Sequence, residues 1–435
     1  MLLAGSLIFY TLGEPKFLLL LLGSVLINYY IGLHLEQLPR QKGKKNIQKK
    51  NKYDKKRKWL FRAALALNIG TLAACKLLLR KDIFPLGVSF YTFQIMSYLT
   101  DVYRGDQKKE DSMVRFATYV TMFPQLVSGP IVNYGEVREQ LIQRQFSLGN
   151  LQDGLKVFTM GLASKVLLAD RLGFLWQEVQ VTGFESISTP LAWLAAIAYS
   201  MKIYFDFYGY SLMAVGLGRM LGFELPENFR TPYMARSVRE FYRRWHITLG
   251  RWFCRYVYIP LGGNRKGEMR TALNLLVVWV LTAIWHGSTG NFLIWGVLLW
   301  LLILFERQLT MALGQYKILE KGILRIVPHL YLWAVIPVTW ICFAVTDFPQ
   351  LQIYLGRMFH AREGIRVSAM DWIKALQSYW YLLAVGGLAC TALPGKLFRR
   401  WKDSLIGTVV LVALFWLCVW RIQVEGNNPF MYSRF

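Results

Sequence analysis

The sequence predicts an all-α polytopic membrane protein, a bundle of about ten transmembrane and re-entrant helices. Three observations predict it. Of 435 residues, 54% are hydrophobic and the mean hydropathy is +0.31. The formal net charge is nevertheless +25. A chain this apolar can carry that charge only if the two are segregated, as in apolar spans joined by basic loops. Finally, the apolar residues come in runs long enough to cross a hydrocarbon core about 30 Å thick. Disorder is excluded by the apolar content. The charge is accounted for without a nucleic-acid partner.

The strong windows are Phe17–Leu35, Trp59–Leu79, Ile187–Tyr204, Leu273–Trp285 continuing past a break to Phe292–Phe305, Leu330–Ala344, Tyr379–Leu393 and Leu405–Trp420. Weaker windows at Ile83–Tyr103, Phe116–Ile131, Leu155–Leu168 and Phe205–Leu221 contain Gly, Pro, Gln or Asp. Such stretches are tolerated inside a bundle or in re-entrant segments rather than against lipid. Basic residues fall between them. Arg40–Lys58 holds eleven Lys or Arg against Asp54 and reads as a basic cytoplasmic loop over 40–58. The segment 223–270 holds ten against four acids. Lys396, Arg399, Arg400 and Lys402 form a third group. Orientation and attraction to anionic membrane lipids account for the first of these. For 223–270 they are less adequate, because it is also rich in aromatics, Gly and Pro.

Chemistry rests on few residues. The five cysteines show no C-x-x-C spacing, so no zinc site or disulfide framework is expected, and no metal. His34, His329 and His360 are read as structural. His286 ends an apolar run and precedes Gly287-Ser-Thr-Gly290, which allows a helix break at membrane depth. An ionisable side chain there is a functional candidate, and imidazole exchanges protons near neutrality. A satisfied buried histidine is the plain alternative. His246 lies in Glu240-Phe-Tyr-Arg-Arg-Trp-His246. Read as one helix, Trp245, Leu249 and Trp252 share one side, while Arg239, Arg243, His246 and Gly250 share the other. That basic face suits phosphates or carboxylates, or lipid headgroups. Asp206 stands among aromatics in Tyr204–Ser211, either lining a path or bonding between helices. Gly262-Gly263-Asn264-Arg265-Lys266-Gly267 lacks Walker spacing and reads as a turn with a basic rim.

Taken in order, Glu240–Leu249, Tyr256–Gly267, Trp285-His286-Gly287 and Asn291–Gly296 resemble the membrane-bound O-acyltransferase superfamily. Within it they are similar to the bacterial alginate O-acetyltransferase branch. Pro85–Gly105, Phe123–Pro130, Tyr204–Phe229 and Asn428–Phe435 match the same branch. The resemblance implies a single membrane domain over 1–435, with helices around a central funnel or tunnel and 223–270 on the donor side. It implies His286 as catalytic residue and His246 as the second functional histidine. Arg239, Arg243, Arg244, Asp206 and Asn291 are then expected to bind donor or substrate. It also implies a multi-pass protein of the bacterial inner membrane with no bound cofactor. Its donor would be acetyl-CoA or another acyl thioester, and its acceptor an extracytoplasmic polysaccharide or partner acetyltransferase. The chain departs from the branch at Tyr210-Ser211-Leu212, Phe253-Cys254-Arg255 and Leu299-Trp300. The family ordinarily has a further hydrophobic segment ahead of Met1, so a shortened N-terminus is expected. D-alanyl transfer to teichoic acid, a transporter or flippase, and an inactive scaffold are the other readings.

Overall fold

The computed structural model describes residues 1–36, 44–79, 84–313, 322–360, 368 and 370–425. Among these the chain is helical and no strand occurs. The first half comprises α1 (Leu2–Gly13), α2 (Leu18–Leu35), α3 (Lys44–Leu78), α4 (Val88–Arg104), α5 (Met113–Thr121), α6 (Phe123–Leu126) and α7 (Tyr134–Ile142). Next come α8 (Leu148–Ala163), α9 (Asp170–Thr182) and α10 (Thr189–Met220). The basic segment 223–270 carries α11 (Val238–Arg244) and α12 (Ile247–Phe253). The rest is α13 (Gly267–His286), α14 (Gly290–Leu313), α15 (Val327–Ala344), α16 (Phe348–Met358), α17 (Asp371–Ala389), α18 (Leu393–Trp401) and α19 (Leu405–Glu425).

Among the described residues, six helical segments are long and apolar enough to cross a membrane. Counting α17 and α18, which meet at 73°, as one broken span makes seven. The expected ten includes helices that are buried instead of lipid-facing. α4 is the clearest: Val88–Phe93, with Ser89 and Thr92 among them, is buried throughout. The windows Ile187–Tyr204 and Phe205–Leu221 fuse into the single 32-residue α10, about 48 Å long at 1.5 Å per residue. Nothing between them breaks a helix, and Asp206 is neutralised by neighbours described below. The basic segment 40–58 is not a loop from residue 44 onward. It continues α3, whose Lys-rich first turns keep good helix propensity. Residues 40–43 and the Asn428–Phe435 motif lie outside the described residues.

Two apolar cores hold the bundle together. One joins α1, α2, α4 and α5 around Tyr10, Leu21, Tyr98 and Phe116. The other joins α9, α10 and α14–α16 around Leu172, Tyr204, Trp340 and Tyr354. Between them Phe90 and Phe93 of α4 meet Trp252 and Phe253 of α12 and Trp285 of α13. The short helices α11 and α12 are therefore gripped from both halves.

Helices α8 and α10 pack antiparallel through two glycine pairs, Gly154 with Gly216 and Gly161 with Gly209. A Cβ on Gly161 would lie 2.5 Å from the Gly209 carbonyl oxygen, and one on Gly209 would lie 2.6 Å from that of Gly161. The seven-residue spacing puts both glycines of each helix on one face, as close helix packing in lipid requires.

Candidate active site

Helices α11–α15 enclose a cavity of about 1060 Å³. His246, His286, Trp279, Trp295 and Trp340 line its buried part. Exposed Arg239, Arg243 and Arg251 line its outer part. Of the residues expected to act, the structure thus brings His246, His286, Arg239 and Arg243 to one space. The other three line different surroundings.

Helix α13 ends at His286 because the chain turns extended at Gly287. A Cβ on Gly287 would lie 2.3 Å from the Phe292 ring, so only glycine lets that ring close under the break. The His286 ring is held edge-on by Trp295 at 5.2 Å and Phe343 at 5.0 Å between centroids. The ammonium of Lys76, from α3, donates to the Trp285 carbonyl and ties down the end of α13. Lys76 was not among the expected site residues. The signal was present, since it is an ionisable residue inside the apolar window Trp59–Leu79.

His246 does not sit within a continuous helix. α11 stops at Arg244, Trp245 is extended, and His246 has φ 45° and ψ 54° before α12 begins. The helical wheel placed it beside Arg239 and Arg243. The break instead turns its ring inward against Phe207 at 4.7 Å and Trp285 at 6.2 Å, so it shares a cavity with those arginines but not their exposed face. A left-handed conformation on a non-glycine residue costs on the order of 1–3 kcal/mol and persists only where the surroundings enforce it. Here the Ile247 N–H donates to the Asn228 carbonyl and the Arg230 N–H to the Arg244 carbonyl, bracketing the turn. Burial pushes the His246 imidazole far below the ordinary histidine range, so the ring is neutral.

The arginines divide. Arg244 pairs with Glu240 one turn earlier and does not line the cavity. Arg251 is paired with Glu136 at 3.1 Å and Arg307 with Glu268 at 3.0 Å. Arg239 and Arg243 have no acidic partner among the described residues. Burial, then the neighbouring Arg243 and Arg307 charges, lower the pKa of Arg239. The Arg243 and Arg307 charges beside it add to the positive potential there, which favours an anion. The start of α11 is fixed by Glu306 of α14, which accepts from the Val238 N–H at 2.5 Å and the Arg239 N–H at 3.2 Å. Glu306 too escaped the sequence reading.

Asp206 is buried 3.0 Å from the Lys165 ammonium, which also binds Asp170. It joins α10 to the α8–α9 junction and does not line the cavity, so the interhelical reading fits its position better than substrate binding. Asn291 accepts from the Thr289 hydroxyl at 2.6 Å and donates to the Cys342 and Phe343 carbonyls at 3.2 and 2.9 Å. It pins the α13–α14 break to the end of α15, again outside the cavity lining. His34, His329 and His360 bond to Tyr30, Ala235 and Thr189 away from the cavity. Gly262–Gly263 forms the expected turn, with φ of 111° and 57°. Among the described residues no cluster of His, Cys, Asp and Glu could hold a metal.

A family model described as "MBOAT, membrane-bound O-acyltransferase family" matches residues 104–345. A probable alginate O-acetylase of Pseudomonas fluorescens is 36% identical over 300 residues, which cover 68% of this chain and 58% of that protein. One from Pseudomonas putida is 32% identical over the whole chain and 94% of its own length. A peptidoglycan O-acetyltransferase of Helicobacter pylori is 34% identical over 68% of this chain and 62% of that protein.

Proposed function

Because the chain belongs to the membrane-bound O-acyltransferase family, we propose that it moves an acetyl group across the bacterial inner membrane. The donor would be a cytoplasmic thioester such as acetyl-CoA, and the acceptor an extracytoplasmic polysaccharide or its partner transferase. The observation that carries this reading is one cavity with two arginines at its exposed end that have no acidic partner among the described residues, and two buried histidines at the other. Phosphate groups of the donor would meet Arg239 and Arg243, since guanidinium binds them bidentately. The thioester would then reach toward His286.

Chemically, the acceptor hydroxyl oxygen attacks the thioester carbonyl. His286 takes the hydroxyl proton as the new C–O bond forms. The C–S bond breaks, and the same proton passes to the leaving thiolate. General-base assistance of this kind is worth roughly 10²–10⁴-fold. The aromatic walls exclude water that would hydrolyse the thioester. Support for an acetyl donor comes from the names of the relatives, an alginate O-acetylase and a peptidoglycan O-acetyltransferase. Those two names carry different polymers.

The test is purified protein incubated with labelled acetyl-CoA, with and without a polysaccharide acceptor. His286→Ala should lose transfer by at least about 10²-fold while remaining folded in detergent. A folded His286→Ala protein with the parent rate refutes the assignment. Substrate movement without thioester consumption indicates a transporter. Turnover only with a D-alanyl carrier thioester indicates the sister chemistry.

A further inference from the structure

Asn228 lies in the extended stretch before α11, and its side chain reaches back into the break at His246. Its Oδ1 is 3.2 Å from the Thr248 backbone nitrogen, 2.9 Å from the Thr248 hydroxyl and 3.1 Å from His246 Nδ1. A backbone N–H can only donate, so the amide atom facing it is the oxygen. The Thr248 hydroxyl already accepts from the Ile131 N–H at 3.0 Å, which leaves its own hydrogen for Asn228. An amide oxygen can only accept, so His246 Nδ1 must carry the ring hydrogen. Neutral imidazole has one N–H, so Nε2 bears a lone pair. That nitrogen is buried, has no hydrogen-bond partner, and belongs to a side chain that lines the cavity.

We propose that Asn228 is a positioning residue that locks His246 as a hydrogen-bond acceptor at Nε2, reserved for an O–H or N–H of a substrate in the cavity. This rests on the acyl-transfer reading and sharpens it. A ring with no hydrogen at Nε2 cannot polarise the reacting carbonyl. Nor can it protonate the leaving thiolate, so that proton comes back from His286. A buried acceptor without a donor forgoes the energy of a hydrogen bond. A substrate hydrogen recovers that energy. The same site penalises an analogue that lacks one.

Of the other charged or titratable groups lining the cavity, His286 of α13 shares its buried part with His246, while Arg239, Glu240 and Arg243 of α11, Arg251 of α12 and Glu306 and Arg307 of α14 line the rest. The experiment uses the full chain labelled with ¹⁵N-histidine, the His246 signals being those lost in His246→Gln. Wild type should show a protonated Nδ1 and a bare Nε2 without any ligand. Asn228→Leu should erase that preference. Asn228→Asp keeps an acceptor at Nδ1 but adds a negative charge, which raises the imidazole pKa by roughly 1–3 units. Its acyl-transfer rate should therefore fall on the acidic side at a pH higher by that amount, with thermal stability retained. Observation of a hydrogen on Nε2 in wild type overturns the proposal. So does an acidic limb for Asn228→Asp that coincides with wild type. The tautomer measurement needs no turnover, so it stands or falls separately from the fate of His286→Ala.

Discussion

Substituting Gly161 by Ala tests the packing on which the site depends. The new Cβ would lie 2.5 Å from the Gly209 carbonyl oxygen and 2.7 Å from the Met213 nitrogen, both backbone atoms. Optimal contact between heavy atoms is about 3.5–4.0 Å, so α8 and α10 must part by roughly 1 Å. A gap of 0.5–1 Å forfeits about a quarter to a half of each affected contact, and overpacking of this kind costs about 1–3 kcal/mol. Against that, Gly→Ala in a helix gains about 1 kcal/mol of propensity. The net expectation is a loss of up to about 2 kcal/mol. Gly70 of α3 supplies the control, because a Cβ there meets nothing within 4 Å. Gly70→Ala should be neutral or gain up to about 1 kcal/mol. Thermal unfolding in detergent should rank Gly70→Ala at or above wild type and Gly161→Ala below it. Adding Gly209→Ala to Gly161→Ala should cost less than the two singles together, since both part the same helices. Turnover should fall as well, because α10 carries Phe207 against the His246 ring. Equal stabilisation by Gly161→Ala and Gly70→Ala would refute the reasoning.

Two further perturbations have defined outcomes. Glu306→Ala removes both acceptors from the start of α11, so KM for the donor should rise more than kcat falls, with Glu306→Gln intermediate; equal KM values for all three proteins would remove Glu306 from the site. Glu110 is buried, which raises its pKa, but Arg115, Tyr134 and the Ser112 N–H outweigh burial and hold it below the ordinary value of 4.5. Its contribution is therefore fully present above about pH 4.5 and is lost as pH falls through the lower folded value. Glu110→Gln should lower the unfolding temperature at neutral pH, and the deficit should shrink as the medium is acidified below that range; a deficit independent of pH would contradict the sign.

Much of the molecule was legible in its sequence because hydropathy and helix-breaking residues act locally. The long apolar windows became helices, the Gly287–Thr289 break fell where its glycine stood, and His286 was marked as an ionisable group at the end of an apolar run. Lys76 carried the same mark and was passed over. Glu306 and Asn228 carried none, because their roles consist of bonds to backbone and side chains 67 and 18 residues away in the chain or more.

What the sequence determined by itself was the class of protein, the spans and the family of its motifs, since each follows from composition and short-range pattern. Only the tertiary structure decided which charges are free. Arg244 and Asp206 are consumed by Glu240 and Lys165, whereas Arg239 and Arg243 face the cavity without an acid. It also decided that His246 leaves the helix in a left-handed turn and offers a lone pair instead of a hydrogen. Hydrogen-bond partners and ion pairs are fixed by contacts between distant segments, and no local pattern in the chain encodes them.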